Sequence, residues 1–151
     1  MLERTFGWIR PVGMPFRHTI RRRIENAGLK ITHSKILKMP RWAYEEMYPC
    51  TNDPGVPRDI WMHRFIATTS TSSEILIIEG EDAIRRLVEL VGEHADPEKC
   101  AVGTIRRDYG VSNALNFGDY AYHLRAMHRS VDSTEAAHNI AIAEKLLGIR
   151  T

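Results

Sequence analysis

Seven histidines, His18, His33, His63, His94, His123, His128 and His138, are the side chains best suited to do chemistry near neutral pH. None forms an H-x-x-x-H pair or stands beside a cysteine at ligand spacing, so a metal cage built by the protein is not expected. A histidine alone is usually structural or solvated, and only His128 has distinctive company. Arg125 lies just before it, and Arg129 and Ser130 follow it. A histidine among basic groups and a hydroxyl suits phosphoryl transfer, where catalysis is mostly positioning and charge neutralisation. Gly103-Thr104-Ile105-Arg106 supplies another arginine in a glycine-containing segment, again suited to phosphate. There is no G-x-x-x-x-G-K-[ST], which excludes a P-loop enzyme.

These groups need elements to hold them. Thr5-Phe6-Gly7-Trp8-Ile9 is aromatic and branched, ends before Pro11, and predicts a first strand. Phe16, Ile20 and Ile24 recur every four residues and predict a helix that stops at Gly28. Leu29, Ile31 and Ile36-Leu37 suggest a second strand, and Pro40 can open a short helix through Tyr48. Pro49 to Pro57 reads as a loop, and Arg58 to Ala67 as a helix. The apolar run Ile75-Leu76-Ile77-Ile78 predicts a strand buried on both faces. Glu81-Asp82 begins a helix that ends at Gly92, with acids suited to the positive end of its dipole. Residues 93–123 show little periodicity and predict a long loop with one helical turn, a length usually functional when ordered. Ser133 is the expected cap of a last helix carrying Ala136, Ala137, Ile140, Ala143 and Leu147. The order predicts an α+β or split β-α-β fold with helices over one sheet.

Composition bounds the rest. At 151 residues the chain predicts one domain, 1–151, long enough to fold without disulfide or zinc. Its 21 Lys+Arg against 19 Asp+Glu leave a net charge of +2, too small for a dedicated nucleic-acid binder. No apolar run approaches the ~20 residues of a membrane span. Cys50 and Cys100 form no C-x-x-C pair and no secretory signal is apparent, so a cytoplasmic protein with reduced thiols is expected. Arg17, Arg21, Arg22, Arg23, Lys30, Lys35 and Lys38 crowd the first quarter, as a solvated helix face or an anion-binding one.

Taken together, the chain resembles the nucleoside diphosphate kinase family. Glu3-Arg4-Thr5 with Ile9-Arg10-Pro11 resembles the opening E-R-T…I-K-P-D, and Gly28-Leu29-Lys30-Ile31 the end of the first helix and the second strand. Tyr48 falls on the tyrosine of H-Y, Ser70 on the serine of S-G-P-V, and Glu79-Gly80 with Asp82-Ala83-Ile84 on E-G-x-N-A-V. Asp96-Pro97 and Gly103-Thr104-Ile105-Arg106 are similar to D-P…G-T-I-R-G, and His128-x-Ser130 with Ala136 and Ile140 to H-G-S…A…I. The resemblance implies a ferredoxin-like sandwich, an antiparallel four-stranded sheet covered by helices, assembled as a hexamer or tetramer. It implies a ping-pong transfer of the γ-phosphoryl group of a nucleoside triphosphate to a nucleoside diphosphate through a phosphohistidine, with Mg²⁺ accompanying the nucleotide. By the same resemblance His128 is the nucleophile, Arg106 binds phosphates, Tyr48 and Ser130 order the site, and Trp61 replaces a phenylalanine that stacks on the base.

The departures are as informative. Arg10 stands where the family has a catalytic lysine, an exchange that keeps charge but not a compact point donor. The second phosphate-binding arginine aligns with Val88, with Arg85 and Arg86 as nearby substitutes, and a binding threonine falls at His94 or Ala95. Arg125 replaces an asparagine, Arg129 a glycine, and Asn139 the glutamate that orients the imidazole. Arg10, Arg106, Arg125 and Arg129 thus predict an arginine-rich anion site around His128. The alternatives to the kinase are a nucleotide-binding regulatory module and an altered phosphotransferase or hydrolase on the same fold.

Overall fold

The computed structural model describes residues 2–49, 56–118 and 120–149. Strand β1 (Leu2–Ile9) is central. It pairs antiparallel with β3 (Ser72–Glu81) on one side, Phe6 opposite Ile77, and with the short β6 (Met127–Arg129) on the other, Trp8 opposite His128. Strand β2 (Lys30–Lys38) adds to the far edge of β3, giving the order β2-β3-β1-β6. This is the antiparallel four-stranded sheet of a ferredoxin-like sandwich, as expected.

Alternation along the strands divides the core between two faces. Ile9, Leu76 and Ile78 pack with Ile20 and Ile24 of α1 (Arg17–Asn26) and Ala83, Leu87 and Val91 of α4 (Ala83–Val91). Phe6, Trp8, Ile75 and Ile77 face α2 (Arg41–Met47), α3 (Arg58–Thr69) and α6 (Ser133–Leu147). The run Ile75–Ile78 is therefore buried on both sides, at 0–1% exposure.

Three local expectations need correction. The cap of α6 is Asp132, not Ser133: its carboxylate accepts from the Glu135 N–H at 2.8 Å, while Glu135 reaches back to the Val131 N–H at 3.0 Å. Helix α4 starts at Ala83 with no acid in its first turn, and the carboxylate of Glu3 on β1 accepts from the Ile84 N–H. The expected loop over 93–123 holds helix α5 (Ile105–Tyr109) and a hairpin of β4 (Val111–Phe117) and β5 (Tyr120–Leu124). The hairpin has an irregular register between Val111 and Leu115, with Asn113 at φ 51°, so no two-residue alternation betrays it. Cys50 and most of the loop expected from Pro49 to Pro57 lie outside the described residues.

Candidate functional site

His128 sits on β6, an edge strand, and is 8% exposed. Trp8 opposite it belongs to the cluster with α6, so the imidazole faces that helix and the end of α2. The strand is brought there by a close approach. Arg10 N–H donates to Ala126 C=O at 2.9 Å, and a Cβ on Gly13 would stand 2.5 Å from that same oxygen. Only a residue without a side chain lets the turn after β1 pass so near β6.

Hydrogen bonds fix the tautomer. Asn139 Oδ1 on α6 can only accept, and it takes the Nε2–H of His128 and the hydroxyl of Ser130, each at 3.0 Å. The proton therefore lies on Nε2, and Nδ1 carries the lone pair. Tyr48 donates its O–H to Nδ1 at 2.7 Å and accepts from Arg10 Nη2 at 2.7 Å. Tyr48 is itself held by Trp61, whose indole N–H donates to the Tyr48 carbonyl at 2.9 Å. Burial first, then the positive charge of Arg10, holds the His128 pKa well below its ordinary value, and the Asn139 hydrogen bond opposes them only in part. The imidazole is thus neutral and nucleophilic at pH 7.

The guanidiniums of Arg10, Arg106 and Arg125 act on this ring, and that of Arg129 acts on Arg106. Arg10, 1% exposed, packs 4.7 Å from the Trp8 ring centroid, and its Nε and Nη1 have no partner among the described residues. Arg106 is 4% exposed and anchored to backbone: Nε donates to Met127 C=O at 3.1 Å, Nη1 to His94 C=O at 3.0 Å. Burial, then the charges of Arg129, Arg125 and Arg10, push its pKa down to about 9. Arg129 donates to Gly92 C=O at 2.9 Å, and its Nε, like that of Arg125, is buried and unpaired among the described residues. Buried donors without acceptors and repelling cations are costly. An oxyanion such as a phosphate would satisfy both.

The structure thus brings together His128, Arg10, Tyr48, Ser130, Arg106 and Arg125. Trp61 is 5% exposed, stacks on Phe65 at 5.8 Å, and contributes to the wall of a cavity of about 390 Å³ with Tyr48, Tyr122 and Arg125. The His94 side chain is exposed, and its carbonyl, not its ring, serves Arg106. Arg85 pairs with Glu89 and Asp82, and Arg86 donates to Glu81 and Ala27 carbonyls, so neither stands in for the arginine missing at Val88. Arg64 and Tyr122, on the same cavity, escaped sequence reasoning. Arg64 follows Trp61 by one helical turn, a usable signal, whereas Tyr122 lies in the unforeseen hairpin.

Comparison with known proteins identifies the family of the chain. The sequence model described as nucleoside diphosphate kinase matches residues 3–145. A nucleoside diphosphate kinase of Saccharolobus islandicus is 31% identical over 118 residues, covering 77% of this chain and 82% of that protein. Among solved structures, the Halobacterium salinarum nucleoside diphosphate kinase in complex with CDP has a TM-score of 0.73 at 27% identity, covering 94% of this chain and 87% of that one. The Aquifex aeolicus nucleoside diphosphate kinase reaches a TM-score of 0.77 at 23% identity, covering 99% and 100%, a likeness of fold.

Proposed function

Since this chain belongs to the nucleoside diphosphate kinase family, we propose that it moves the γ-phosphoryl group of a nucleoside triphosphate to a nucleoside diphosphate through a phosphohistidine at His128. The observation that carries this reading is the Nδ1 lone pair, fixed by Asn139 on the opposite nitrogen and set among guanidiniums with unpaired donors. Nδ1 attacks the γ-phosphorus, the bond to the β–γ bridging oxygen breaks, and the diphosphate leaves with that electron pair. As the phosphorus arrives, the Tyr48 hydroxyl turns from Nδ1 to a phosphoryl oxygen, still held by Arg10. Nε2–H stays on Asn139 throughout. An incoming diphosphate then attacks the phosphorus through a terminal oxygen and the P–N bond breaks, returning the lone pair to Nδ1.

Arg10, Arg106 and Arg125 neutralise the phosphates, Ser130 steadies Asn139, and Trp61 with Tyr122 walls the space for the base. His94 acts through its carbonyl. Mg²⁺ fits as part of the nucleotide substrate: the described residues hold no group of three or more His, Cys, Asp or Glu able to bind a metal, and the site's donors are cationic. The whole chain serves as one domain in this reading. Its open β2 edge, with Ile36 51% exposed, supports self-association into a tetramer or hexamer. Among the described residues no helix is long and apolar enough to cross a membrane, consistent with a cytoplasmic protein acting on free nucleotides.

The test is phosphoenzyme formation from labelled ATP and Mg²⁺, followed by discharge with a panel of diphosphates. Label on His128 that any nucleoside diphosphate removes supports the kinase. Nucleotide binding without label would instead leave a regulatory module.

A further inference from the structure

The cavity beside His128 extends past the groups that phosphoryl transfer requires. Arg64 on α3 places its guanidinium 5.3 Å from the Tyr122 ring centroid, and Arg125 lies 5.7 Å from the same centroid. Both line the cavity of about 390 Å³ that also includes Tyr48, Trp61 and Tyr122. Contact with an aromatic face uses the guanidinium's charge but leaves its N–H edges open. The Nε of Arg64 and the Nε of Arg125 are both buried with no hydrogen-bond partner among the described residues. No acidic residue lines that cavity among the described residues.

The charge balance points the same way. A nucleoside triphosphate with its Mg²⁺ carries about two net negative charges. Arg10, Arg106, Arg125 and Arg129 already exceed that near His128, and mutual repulsion acts on Arg106 and Arg125. Arg64 adds a further cation that the transferring phosphate chain does not require.

We propose that Arg64 and Arg125, meeting at Tyr122, form a second phosphate subsite for a phosphate group outside the transferring chain. That group is either carried on the ribose of the bound nucleotide or supplied as inorganic phosphate. The proposal rests on the nucleotide reading of the cavity. Arg125 joins the two ends, because its charge is felt both by His128 and by the Tyr122 wall.

Isothermal titration of the full chain tests it, with AMP and adenosine 3′,5′-bisphosphate as the probes. The quantity read is the ratio of the two dissociation constants. The wild type binds the bisphosphate at least about tenfold more tightly at low salt, as one added charge-assisted contact allows. Arg64→Gln brings the ratio to within about twofold of one, and Arg64→Lys recovers part of it. A wild-type ratio near one overturns the proposal, as does a ratio that Arg64→Gln leaves unchanged. Should Arg64→Gln fail to fold, a salt series on the wild type decides. The ratio must shrink as KCl rises from about 50 mM to about 500 mM, and a salt-independent ratio overturns the subsite. Inorganic phosphate that cancels the bisphosphate's advantage while sparing AMP identifies a site open to the free ion. Failure to cancel it identifies one specific for the ribose-linked group, and both results support the subsite. Failure of the kinase reading shows separately, as an absence of phosphoenzyme with the binding ratio intact.

Discussion

Two regions of this molecule set arginines against a buried group, and they balance the charge in opposite ways. On β3, Glu74 is 1% exposed and accepts from Arg17 Nε at 2.9 Å and Nη2 at 2.9 Å and from Arg21 Nη1 at 2.7 Å, tying α1 to the sheet. Around His128 the carboxylate of Glu135 stands 3.9 Å from Nε2, and among the described residues the guanidiniums rest on carbonyls, rings, the Tyr48 hydroxyl or no partner. The first arrangement is complete without a ligand. The second leaves buried cationic donors for an anion to complete, which distinguishes a binding site from a structural ion pair even though both are basic.

Removing Arg10 should break the second region most severely. Arg10→Gln is expected to slow phosphoenzyme formation by about 10²–10³-fold, the usual cost of losing one donor aimed at developing charge. Its unfolding midpoint should change little, since a cation repelling Arg106 and Arg125 is lost together with the Tyr48 hydrogen bond and the packing on Trp8. Rapid-quench kinetics with a denaturant melt on the same sample checks both.

Glu74→Gln is the mirror experiment. It leaves two partly exposed cations around a neutral amide and should cost about 1–2 kcal/mol of stability, read as a lowered urea midpoint. Phosphoenzyme formation per folded molecule should be kept. A variant that loses activity but not stability would erase the distinction between the regions.

Proton linkage at Arg106 sharpens it further. Its pKa is lowered to about 9, below its value in an unfolded chain, so the folded state binds fewer protons above pH 9. This contribution to stability therefore increases as pH rises from about 9 towards the unfolded value. A bound phosphate restores the charge, so ADP affinity should fall by up to about tenfold per pH unit above pH 9. Titration calorimetry at pH 7.5 and pH 10 would reveal it, along with proton uptake at the higher pH.

The smallest expected change is at Asn139. Because the His128 pKa is held well below its ordinary value, wild-type phosphorylation should be level from pH 8 down through pH 6.5. Asn139→Asp supplies a carboxylate that favours the imidazolium, raises that pKa, and moves the acidic fall in rate upward by about one pH unit. A profile unchanged by the exchange would show that Asn139 does not set the ring's protonation.

Much of this site was legible in the residues because its chemistry is local or ordered. His128 and Ser130 stand two apart, on β6 and just past its end, and Arg10 directly follows a strand whose hydrophobic pattern is plain. Ile75–Ile78 announced a strand buried on both faces, and that strand is an interior one, between β2 and β1. The β4–β5 hairpin was illegible because Asn113, Gly118 and the irregular register replace alternation with turn geometry. With it went Tyr122, hence the outer wall of the cavity. The substitution of Asn139 for a carboxylate could be aligned but not interpreted. Only its contacts with both His128 and Ser130 show that a neutral oxygen can set the tautomer without charging the ring.

The central claim is that His128 Nδ1 takes the phosphoryl group, and mass spectrometry of the chain after brief exposure to MgATP tests it most directly. One acid-labile phosphoryl group on His128, absent from His128→Ala and discharged by a nucleoside diphosphate, is the predicted result. An unmodified His128, or a phosphoryl group that persists in His128→Ala, would contradict it.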